Sequence, residues 1–410
     1  MSDEKLIELL SRRGFLGTAS AALAATGLIS ASTLAQQTPG KPDNSVTANP
    51  ALNAANPDSL NPPPSDAGGL PPFKYPSALG EKIVANGGWV REVTVRELAI
   101  AKTISSAQIR LNAGAIRELH WHSVSEWAFV LDGNCRITCI DSDGKSFVTD
   151  VSAGDLWYFP SGTPHSLQGL DPNGSEFLLA FDDGNFSERV TALVSDWLIH
   201  TPREILAKNF GLPQQSLQNL PTQPMVIFPS TVPGPLAEDR RQAAGSRGPS
   251  STDFAFRTLQ QSPTKSNKGG EVRIIDSKNF PVANRISAAV VTVHPGGMRE
   301  LHWHPNADEW QFFISGKARQ TVFATAGRAR TMDFETGDVG YVPLGAPHYI
   351  ENTGSTDLKF LELFRSSYYQ DVSLNEWLAN TPAQVVTANL GIDKASLDKL
   401  PHTKPVFMPE

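Results

Sequence analysis

The sequence predicts an all-β dominated protein made of two tandem antiparallel barrels of the jelly-roll type, each followed by short α-helices. Its 410 residues are 40 % hydrophobic and 19 % charged, which supplies a large core and excludes a disordered chain. Glycine and proline, at 32 and 31 residues, indicate many turns. The third observation is that the two halves of the chain repeat each other.

Three pairs of matching segments carry the repeat, in the same order. The letters RELHWH stand at residues 117–122 and return 182 residues later. GDLWYFP at 154–160 is matched by GDVGYVP 183 residues further on, and DWLIHTP at 196–202 by EWLANTP after 180. This period is far longer than the 20–50 residues of solenoid units, so each copy is predicted to be a domain. We place the domains at residues 76–235 and 236–410.

Within each copy, short apolar or alternating runs are separated by turn residues. Strands are predicted in the first copy at residues 125–131, 136–140, 156–159 and 176–181. Turns are predicted at Asp132-Gly133, Asp143-Gly144 and Asn173-Gly174. Each copy ends in sequence of helical pattern, at residues 189–198, 202–210 and 374–390.

The first 35 residues have the layout of an export signal. A positively charged start leads into an apolar, alanine-rich run, and small residues at 33 and 35 mark a cleavage point. Arg12 and Arg13, followed by Phe15 and Leu16, resemble the twin-arginine signal of bacteria. An ordinary secretory signal or a mitochondrial presequence is the alternative, although early acidic residues argue against a presequence.

Residues 1–35 are therefore predicted to be a twin-arginine-type signal peptide, and the protein to be exported to the periplasm or secreted. Residues 36–75 are rich in proline, asparagine and serine, which predicts a flexible tail.

Net charge and cysteine content exclude several classes of protein. A net charge of −7 predicts no nucleic-acid partner. After the N-terminus no run of about 18 uncharged apolar residues occurs, which predicts no membrane span. Cys135 and Cys139 lie four residues apart in a predicted strand, about 13 Å along it, so both are expected to be reduced.

Six of the nine histidines lie in the repeated motifs, in a pattern typical of a metal site. In the first copy His120, His122 and Glu126 are followed by His165, which comes after a Pro-x-Gly turn. Residues i and i+2 of a strand face the same side, so His120 and His122 are predicted to point into the barrel and Trp121 away from it.

The second copy repeats this set with His302, His304, Glu309 and His348. Three imidazoles and one carboxylate can hold an octahedral metal ion and leave two positions open. The carboxylate favours harder ions such as Mn²⁺ or Fe²⁺, and spacing does not choose between them. Histidines without a metal are a poor explanation for a four-residue set that occurs twice.

These residues and their flanking glycines resemble the two motifs of the cupin family, and the chain is similar to the bicupin oxalate decarboxylases. The similarity covers about residues 75 to 405 and is closest at RELHWH and at residues 181–189. One departure is Gly169, where the second cupin motif usually has an asparagine. The second copy has this asparagine, Asn352. That asparagine is not a metal ligand.

The resemblance implies a manganese-dependent oxalate decarboxylase, a carboxy-lyase that converts oxalate to formate and CO₂ with O₂ as cofactor. It implies a homo-oligomer, either a trimer or a hexamer. It also implies two Mn²⁺ per chain, held by His120, His122, Glu126 and His165 and by His302, His304, Glu309 and His348.

The resemblance further implies roles for two arginines and two glutamates. Arg117 and Arg299 would bind the substrate carboxylate. Glu188 would deliver a proton from a lid segment, residues 186–191, after CO₂ leaves. Glu362 occupies the position of the second-barrel glutamate near the metal, and Tyr369 is its possible neighbour. We expect the first barrel to be catalytic and the second to be supporting.

Two of these assignments meet a difficulty in the sequence itself. Simple alternation puts Arg117 and Arg299 on the strand face opposite the histidines, unless a bend near Gly114 or residues 296–297 turns them inward. In the lid segment, Arg189 and Val190 replace the family's Asn and Ser, which puts lid closure in question. Glu188 has the alternative role of capping the helix that follows.

Other functions stay open at this stage. An oxalate oxidase, giving CO₂ and H₂O₂, would use the same site. A metal-binding cupin acting on another small carboxylate, a dioxygenase or an isomerase is a further alternative, because fold does not determine function. A storage or sugar-binding cupin is disfavoured by two complete ligand sets. Trp121 and Trp303 are expected to pack at an interface rather than to relay electrons.

Overall fold

The computed structural model describes residues 49–60 and 62–410, and it confirms the predicted fold class of two antiparallel barrels with short helices. The predicted signal peptide and the first part of the predicted tail lie outside the described residues. In the described ranges, no helix is both long and apolar enough to cross a membrane.

The first thirteen strands lie between residues 74 and 256, and the first of them, β1, precedes the strands of the first barrel. They are β1 Lys74–Pro76, β2 Lys82–Ala85, β3 Gly88–Val93, β4 Ser105–Leu111, β5 Ile116–Trp121, β6 Glu126–Ile140, β7 Ser146–Ser152, β8 Leu156–Phe159, β9 His165–Gly169, β10 Ser175–Phe181, β11 Ala192–Leu193, β12 Ile227–Phe228 and β13 Ala255–Phe256.

The second group follows the same plan. Its members are β14 Lys265–Asn267, β15 Gly270–Ile275, β16 Ser287–Val293, β17 Met298–Trp303, β18 Glu309–Ser315, β19 Lys317–Ala324, β20 Arg328–Glu335, β21 Asp338–Val342, β22 His348–Asn352, β23 Leu358–Phe364, β24 Val372–Ser373 and β25 Phe407–Met408.

Helices are short and lie mainly outside the barrels. The α-helices are α1 Pro50–Ala55, α2 Pro57–Leu60, α3 Val194–Ile199, α4 Arg203–Phe210, α5 Leu236–Ala244, α6 Leu374–Ala379, α7 Ala383–Leu390 and α8 Lys394–Leu397. Single 3-10 turns occur at Ser77–Leu79, Glu188–Val190, Gln214–Leu217 and Thr258–Gln260.

The long strand β6 joins both faces of the first barrel. It pairs with β8 and β10 through its first half and with β7 and β9 through its second. The turn predicted at Asp132-Gly133 is therefore wrong, because the strand continues through both residues. Gly133 bends it with a φ of 72°, and a Cβ there would lie 2.0 Å from the carbonyl oxygen of Gly174.

At the same place in the second barrel the strand is interrupted. Gly316, with a φ of 91°, separates β18 from β19. The barrel is accordingly assigned as two sheets, one ordered β1-β21-β18-β23-β16-β15-β14 and one ordered β20-β19-β22-β17-β24, with β25 beside β17.

Edge strands are exchanged between the barrels. β1 pairs with β21 of the second barrel, and β13 pairs with β8 of the first. Helix α5 is tied to the first barrel by an ion pair between Arg136 Nη1 and Asp239 Oδ2, 2.5 Å apart. The domain bounds taken from the repeat stay a prediction, since elements near both bounds contact the barrel on the other side of the bound.

A shared apolar layer joins the two barrels. Trp127 and Tyr158 from the first pack in one buried cluster with Trp310 and Tyr341 from the second. Both tyrosine hydroxyls also hydrogen bond across this layer. The Tyr341 hydroxyl lies 3.0 Å from Thr103 Oγ1, and the Tyr158 hydroxyl donates to Asn284 Oδ1 over 3.4 Å.

The two cysteines are free and buried on β6, which confirms that they form no disulfide. Burial raises the pKa of both thiols above the ordinary value, so they behave as neutral core groups.

We expect Gly133→Ala to destabilise the chain by about 2 kcal/mol more than Gly162→Ala does. Both glycines have positive φ, 72° and 79°, so both substitutions carry the same conformational penalty. A Cβ at Gly162 meets nothing within 4 Å, whereas one at Gly133 meets backbone. Denaturant unfolding of the two variants measures the difference, and equal losses of stability would contradict a close approach at Gly133.

Candidate metal centres and substrate arginines

Four predicted residues of the first barrel meet in one buried cluster, which we call the first cage. His120 lies on β5, His122 follows it, and Glu126 and His165 begin β6 and β9. The antiparallel register places His120 directly opposite His165. Glu126 Oε2 lies 3.3 Å from His165 Nε2 and 3.5 Å from His122 Nδ1. One ligand atom from each residue lies within 4.8 Å of the others.

The second barrel repeats this arrangement as the second cage. His302 lies opposite His348 across β17 and β22. Glu309 Oε2 lies 2.9 Å from His348 Nε2 and 3.1 Å from His304 Nε2. All four side chains are buried, and their ligand atoms also lie within 4.8 Å of one another.

Backbone carbonyls orient most of these imidazoles. Nδ1 of His120 lies 2.5 Å from the Glu118 oxygen, and Nδ1 of His165 lies 2.8 Å from the Thr163 oxygen. A ring that donates from Nδ1 keeps its Nε2 lone pair free for a metal. Three imidazoles of the second cage have the same kind of contact, to the oxygens of Glu300, Gln370 and Ala346.

The remaining donor atoms fit a divalent transition-metal ion. His122 Nε2, His165 Nε2 and Glu126 Oε2 are buried without a hydrogen bond of good geometry to any described residue. Glu309 Oε2 and the Nε2 atoms of all three second-cage histidines are in the same state. Buried polar atoms left unpaired are costly, and a shared cation is the simplest partner for such a convergent set.

Protonation states agree with metal binding. Burial, and then the charge of Arg117, lowers the pKa of His120 well below its ordinary value. Burial and the charge of Arg299 do the same for His302. Burial raises the pKa of Glu126, but the charges of His165 and His122 outweigh it, and the net direction is down. His120 and His302 are therefore neutral imidazoles and Glu126 is an ionised carboxylate, the forms in which these groups bind a metal.

The second oxygen of each cage carboxylate has a different donor in the two barrels. Trp157 Nε1 donates to Glu126 Oε1 over 2.7 Å. The matching position in the second copy is Gly340, and Gln311 Nε2 donates to Glu309 Oε1 over 2.7 Å instead. A Cβ on Gly340 would lie 2.3 Å from Gln311 Oε1, so the glycine makes room for the amide.

Both arginines lie on the same side as the histidines, and the cause is a β-bulge rather than a bend at a glycine. Arg117 and His120 are three positions apart, but their partners on β9, Leu167 and His165, are only two apart. One extra residue reverses the alternation, so the turn inward that the sequence left open comes from this bulge. Arg299 reaches the inner side by the same bulge in β17.

Glu188 of the lid segment turns inward and pairs with Arg117. Its Oε2 lies 2.5 Å from Arg117 Nη2, and its Oε1 lies 3.5 Å from His122 Nε2. Burial raises the pKa of Glu188, but Arg117 and His122 outweigh it, and the net pKa lies well below the ordinary value. The capping role belongs instead to Ser187, whose Oγ accepts from the Arg189 amide over 3.2 Å.

The lid segment is fastened from outside by Glu92, a residue that no motif identifies. Its carboxylate accepts from Ser187 Oγ at 2.9 and 3.0 Å and from the Glu188 amide at 2.6 Å. The two unusual lid residues face outward: Arg189 pairs with Glu81 over 2.7 Å, and Val190 is 71 % exposed. Neither of these two side chains holds Glu188 in the site.

Arg299 has a different partner from Arg117. Its Nη2 lies 2.5 Å from Asp371 Oδ2 and donates to the Tyr369 hydroxyl over 3.0 Å. Lys404 Nζ donates to both the side chain and the backbone carbonyl of Asp371. In the repeat Asp371 aligns with Thr191 and Lys404 with Pro224. In the second barrel the guanidinium of Arg299 is therefore paired with Asp371, which Lys404 also holds.

Glu362 lies beside this group and is fully buried. Its Oε1 is 3.9 Å from Arg299 Nε, and its Oε2 accepts from the Tyr369 hydroxyl over 3.4 Å. Burial, together with the charge of Glu309, raises the pKa of Glu362 to about 8. A catalytic role for Glu362 and a substrate role for Arg299 stay predictions.

Comparison with protein families shows two matches to the cupin model, at residues 77–218 and 256–397. Among curated proteins, the oxalate decarboxylase OxdC of Bacillus subtilis is 50 % identical over 349 residues, which cover 85 % of this chain and 90 % of that protein. A probable oxalate decarboxylase of Arthroderma benhamiae is 40 % identical, with 87 % and 88 % covered.

Solved structures agree with these relatives. A structure of the Bacillus subtilis oxalate decarboxylase, studied for the EPR parameters of its Mn(II) centres, has a TM-score of 0.87 and 47 % identity. It covers 91 % of this chain and 99 % of its own.

We expect His165→Ala and His348→Ala each to remove about one metal ion per chain. The two cages share no ligand, so each substitution opens one of them and leaves the other complete. Mass-spectrometric metal analysis of the folded variants beside the wild type measures the ratio. Loss of both ions from either variant would contradict independent cages.

Proposed function

This chain belongs to the cupin family and, within it, to the bicupin oxalate decarboxylases, and on that premise we propose that it converts oxalate to formate and CO₂. We further propose Mn²⁺ in both cages and O₂ as cofactor. The observation that carries the proposal is the buried pair of Arg117 and Glu188 beside the first cage.

Arg117 is suited to hold one end of oxalate. Its guanidinium is buried, with 1 % of the residue exposed, and lies on the same side of the strand as His120. A carboxylate bound there makes charge-assisted hydrogen bonds out of water. Glu188 occupies the guanidinium in the closed structure, so the substrate and Glu188 compete for the same cation.

This competition also prepares Glu188 to act as an acid. The reaction takes oxalate and one proton to formate and CO₂, so one C–C bond breaks and one C–H bond forms. When bound, manganese with O₂ supplies the one-electron oxidation that weakens the C–C bond. Once the substrate engages Arg117, Glu188 loses its counterion while it stays buried, and its pKa rises. A carboxyl oxygen of Glu188 can then hold the proton that the new C–H bond requires.

The lid segment keeps water from the site during this exchange. Phe186, Ser187 and Glu188 are all buried. A closed lid protects reactive species from solvent and from loss of protons. The alternative outcome, CO₂ and H₂O₂ as in an oxalate oxidase, is favoured by any lid that closes poorly, and Arg189 and Val190 are the residues that keep this alternative open.

In the second barrel we propose a supporting role. Asp371, braced by Lys404, already occupies Arg299. Unlike Glu188, Asp371 lies beside the short strand β24 rather than on a lid, and it is held from two directions. Oxalate would have to displace a fixed internal ion pair there.

We propose that the chain forms a homo-oligomer, a trimer or a hexamer. The helices after each barrel expose large apolar side chains, with Trp197 63 % and Trp377 55 % exposed. Each packs edge-on against the first-motif tryptophan of its own barrel, Trp121 or Trp303. Such patches mark association surfaces. Light scattering on the intact chain tests this, and a monomeric mass would refute it.

Export through a twin-arginine-type signal, to the periplasm or the medium, is likewise proposed. A metalloprotein exported folded could be loaded with its ion before export. Finding the intact, uncleaved chain only in the cytoplasm of its host would refute the proposal.

We expect Glu188→Gln to lower formate production at least tenfold on the Mn-loaded enzyme and to raise the share of H₂O₂. The amide keeps the size of the side chain but holds no transferable proton. The measurement follows formate and peroxide together in mildly acidic buffer in air.

Glu81→Gln is the matched control, because it removes a carboxylate that contacts only the outer face of the lid segment, at Arg189. It is expected to keep wild-type formate. Full formate production by Glu188→Gln would exclude Glu188 as the proton donor, and peroxide without formate from the wild type would favour the oxidase.

A further inference from the structure

Glu118 is a buried carboxylate that the reaction described above does not use. It follows Arg117 on β5 and is 5 % exposed. Its Oε1 accepts from the Ser195 amide over 2.9 Å. Its Oε2 accepts from Ser195 Oγ and from the amides of Met225 and Val226, over 2.8, 2.9 and 2.7 Å. Among described residues no lysine, arginine or histidine forms an ion pair with it.

The backbone at Val226, one of the two successive residues whose amides donate to Glu118, has an unusual conformation. Val226 has a φ of 53°, in the left-handed region that β-branched residues rarely adopt. Such a conformation persists only where the surroundings over-determine it. The carboxylate of Glu118 provides this constraint, because it draws the Met225 and Val226 amides to one oxygen.

In this conformation the Val226 carbonyl faces β5. It accepts from the Glu118 amide over 3.1 Å and from Arg117 Nη1 over 3.3 Å. A guanidinium is planar, so a fixed Nη1 also sets the direction of the opposite edge, Nε and Nη2. Nη2 contacts Glu188, and Nε is buried without a hydrogen-bond partner among the described residues. That edge has the geometry for a carboxylate.

The second barrel contains the same device. Glu300 accepts from Ser373 Oγ over 2.6 Å and from the Val406 amide over 3.1 Å. Val406 has a φ of 67°, and its carbonyl accepts from Arg299 Nη1 over 3.3 Å. The guanidiniums bind different carboxylates, on a lid in one barrel and at Asp371 in the other. The contact from the glutamate through the valine carbonyl to the arginine is therefore the same in both barrels, although the carboxylate paired with the arginine differs.

We propose that Glu118 is a positioning residue for substrate binding: it holds Val226 in the left-handed conformation, so that the Val226 carbonyl aims the Nε and Nη2 edge of Arg117 at a carboxylate. The inference rests on the proposed function in that the carboxylate is taken to be oxalate.

The test compares Glu118→Gln with Glu300→Gln. In each variant an amide N–H₂ faces the N–H donors that the carboxylate accepted from, and both are expected to lower the thermal midpoint by similar amounts. Glu118→Gln is expected to raise the KM for oxalate about tenfold and to change kcat less than threefold, because binding is lost and the proton donor is intact. Glu300→Gln is expected to change KM less than twofold.

A crystal structure of Glu118→Gln gives a second readout that needs no turnover. We expect Arg117 Nη1 to leave the Val226 oxygen while Arg299 stays on Val406. An unchanged KM with a lower thermal midpoint, an equal KM change in Glu300→Gln, or an unchanged Arg117 contact would overturn the proposal.

Failure of the proposed function has a separate signature, which is a wild-type enzyme that makes no formate, and the crystal structure still decides the role of Glu118. If Glu118→Gln does not fold, Ser195→Ala replaces it. The Ser195 hydroxyl donates to Glu118 and accepts from the Met225 amide. We expect a KM increase of about threefold, again with kcat retained.

Discussion

One extra residue between Arg117 and His120 determines how the site is assembled. An unbroken strand would send the arginine and the histidine to opposite faces, and the guanidinium would lie far from the first cage. The bulge turns both to the inner face at the cost of one unpaired position in the ladder. It also directs Glu118, one of the two residues within the bulge, toward the segments that follow the barrel, where its carboxylate accepts four hydrogen bonds.

The duplicated barrels show which parts of the site are separable. The cages are nearly identical, since ligand geometry tolerates little change. The groups around the cages differ between the two copies. The indole of Trp157 donates a hydrogen bond to Glu126, whereas the carboxamide of Gln311 donates one to Glu309. Arg117 pairs with Glu188 on the lid segment, whereas Arg299 pairs with Asp371, which also binds Lys404. This difference is the basis for proposing that the first copy binds the substrate and that the second supports it.

Closure of the lid depends on hydrogen bonds from outside the site. Glu92 accepts from both Ser187 and the Glu188 amide, so the lid segment is held by its backbone and its serine as well as by its acid. Arg189 and Val190 contribute to the outer surface. Glu92 therefore holds Ser187 and the Glu188 amide through contacts that do not involve the two residues that differ from the family's pattern.

The sequence by itself determined the duplication, the fold class and the eight residues that meet in the cages, because a strand's period of two and the glycine and proline turns act over short distances. It also identified Glu188 and Arg117 through resemblance. Only the tertiary structure decided which way the arginines face, since a bulge depends on the register of a partner strand. The contacts of Glu92, Glu118, Asp371 and Lys404 were decided there too. Each meets its partner across a long sequence separation, up to 108 residues between Glu118 and Val226, and no local pattern records such a contact.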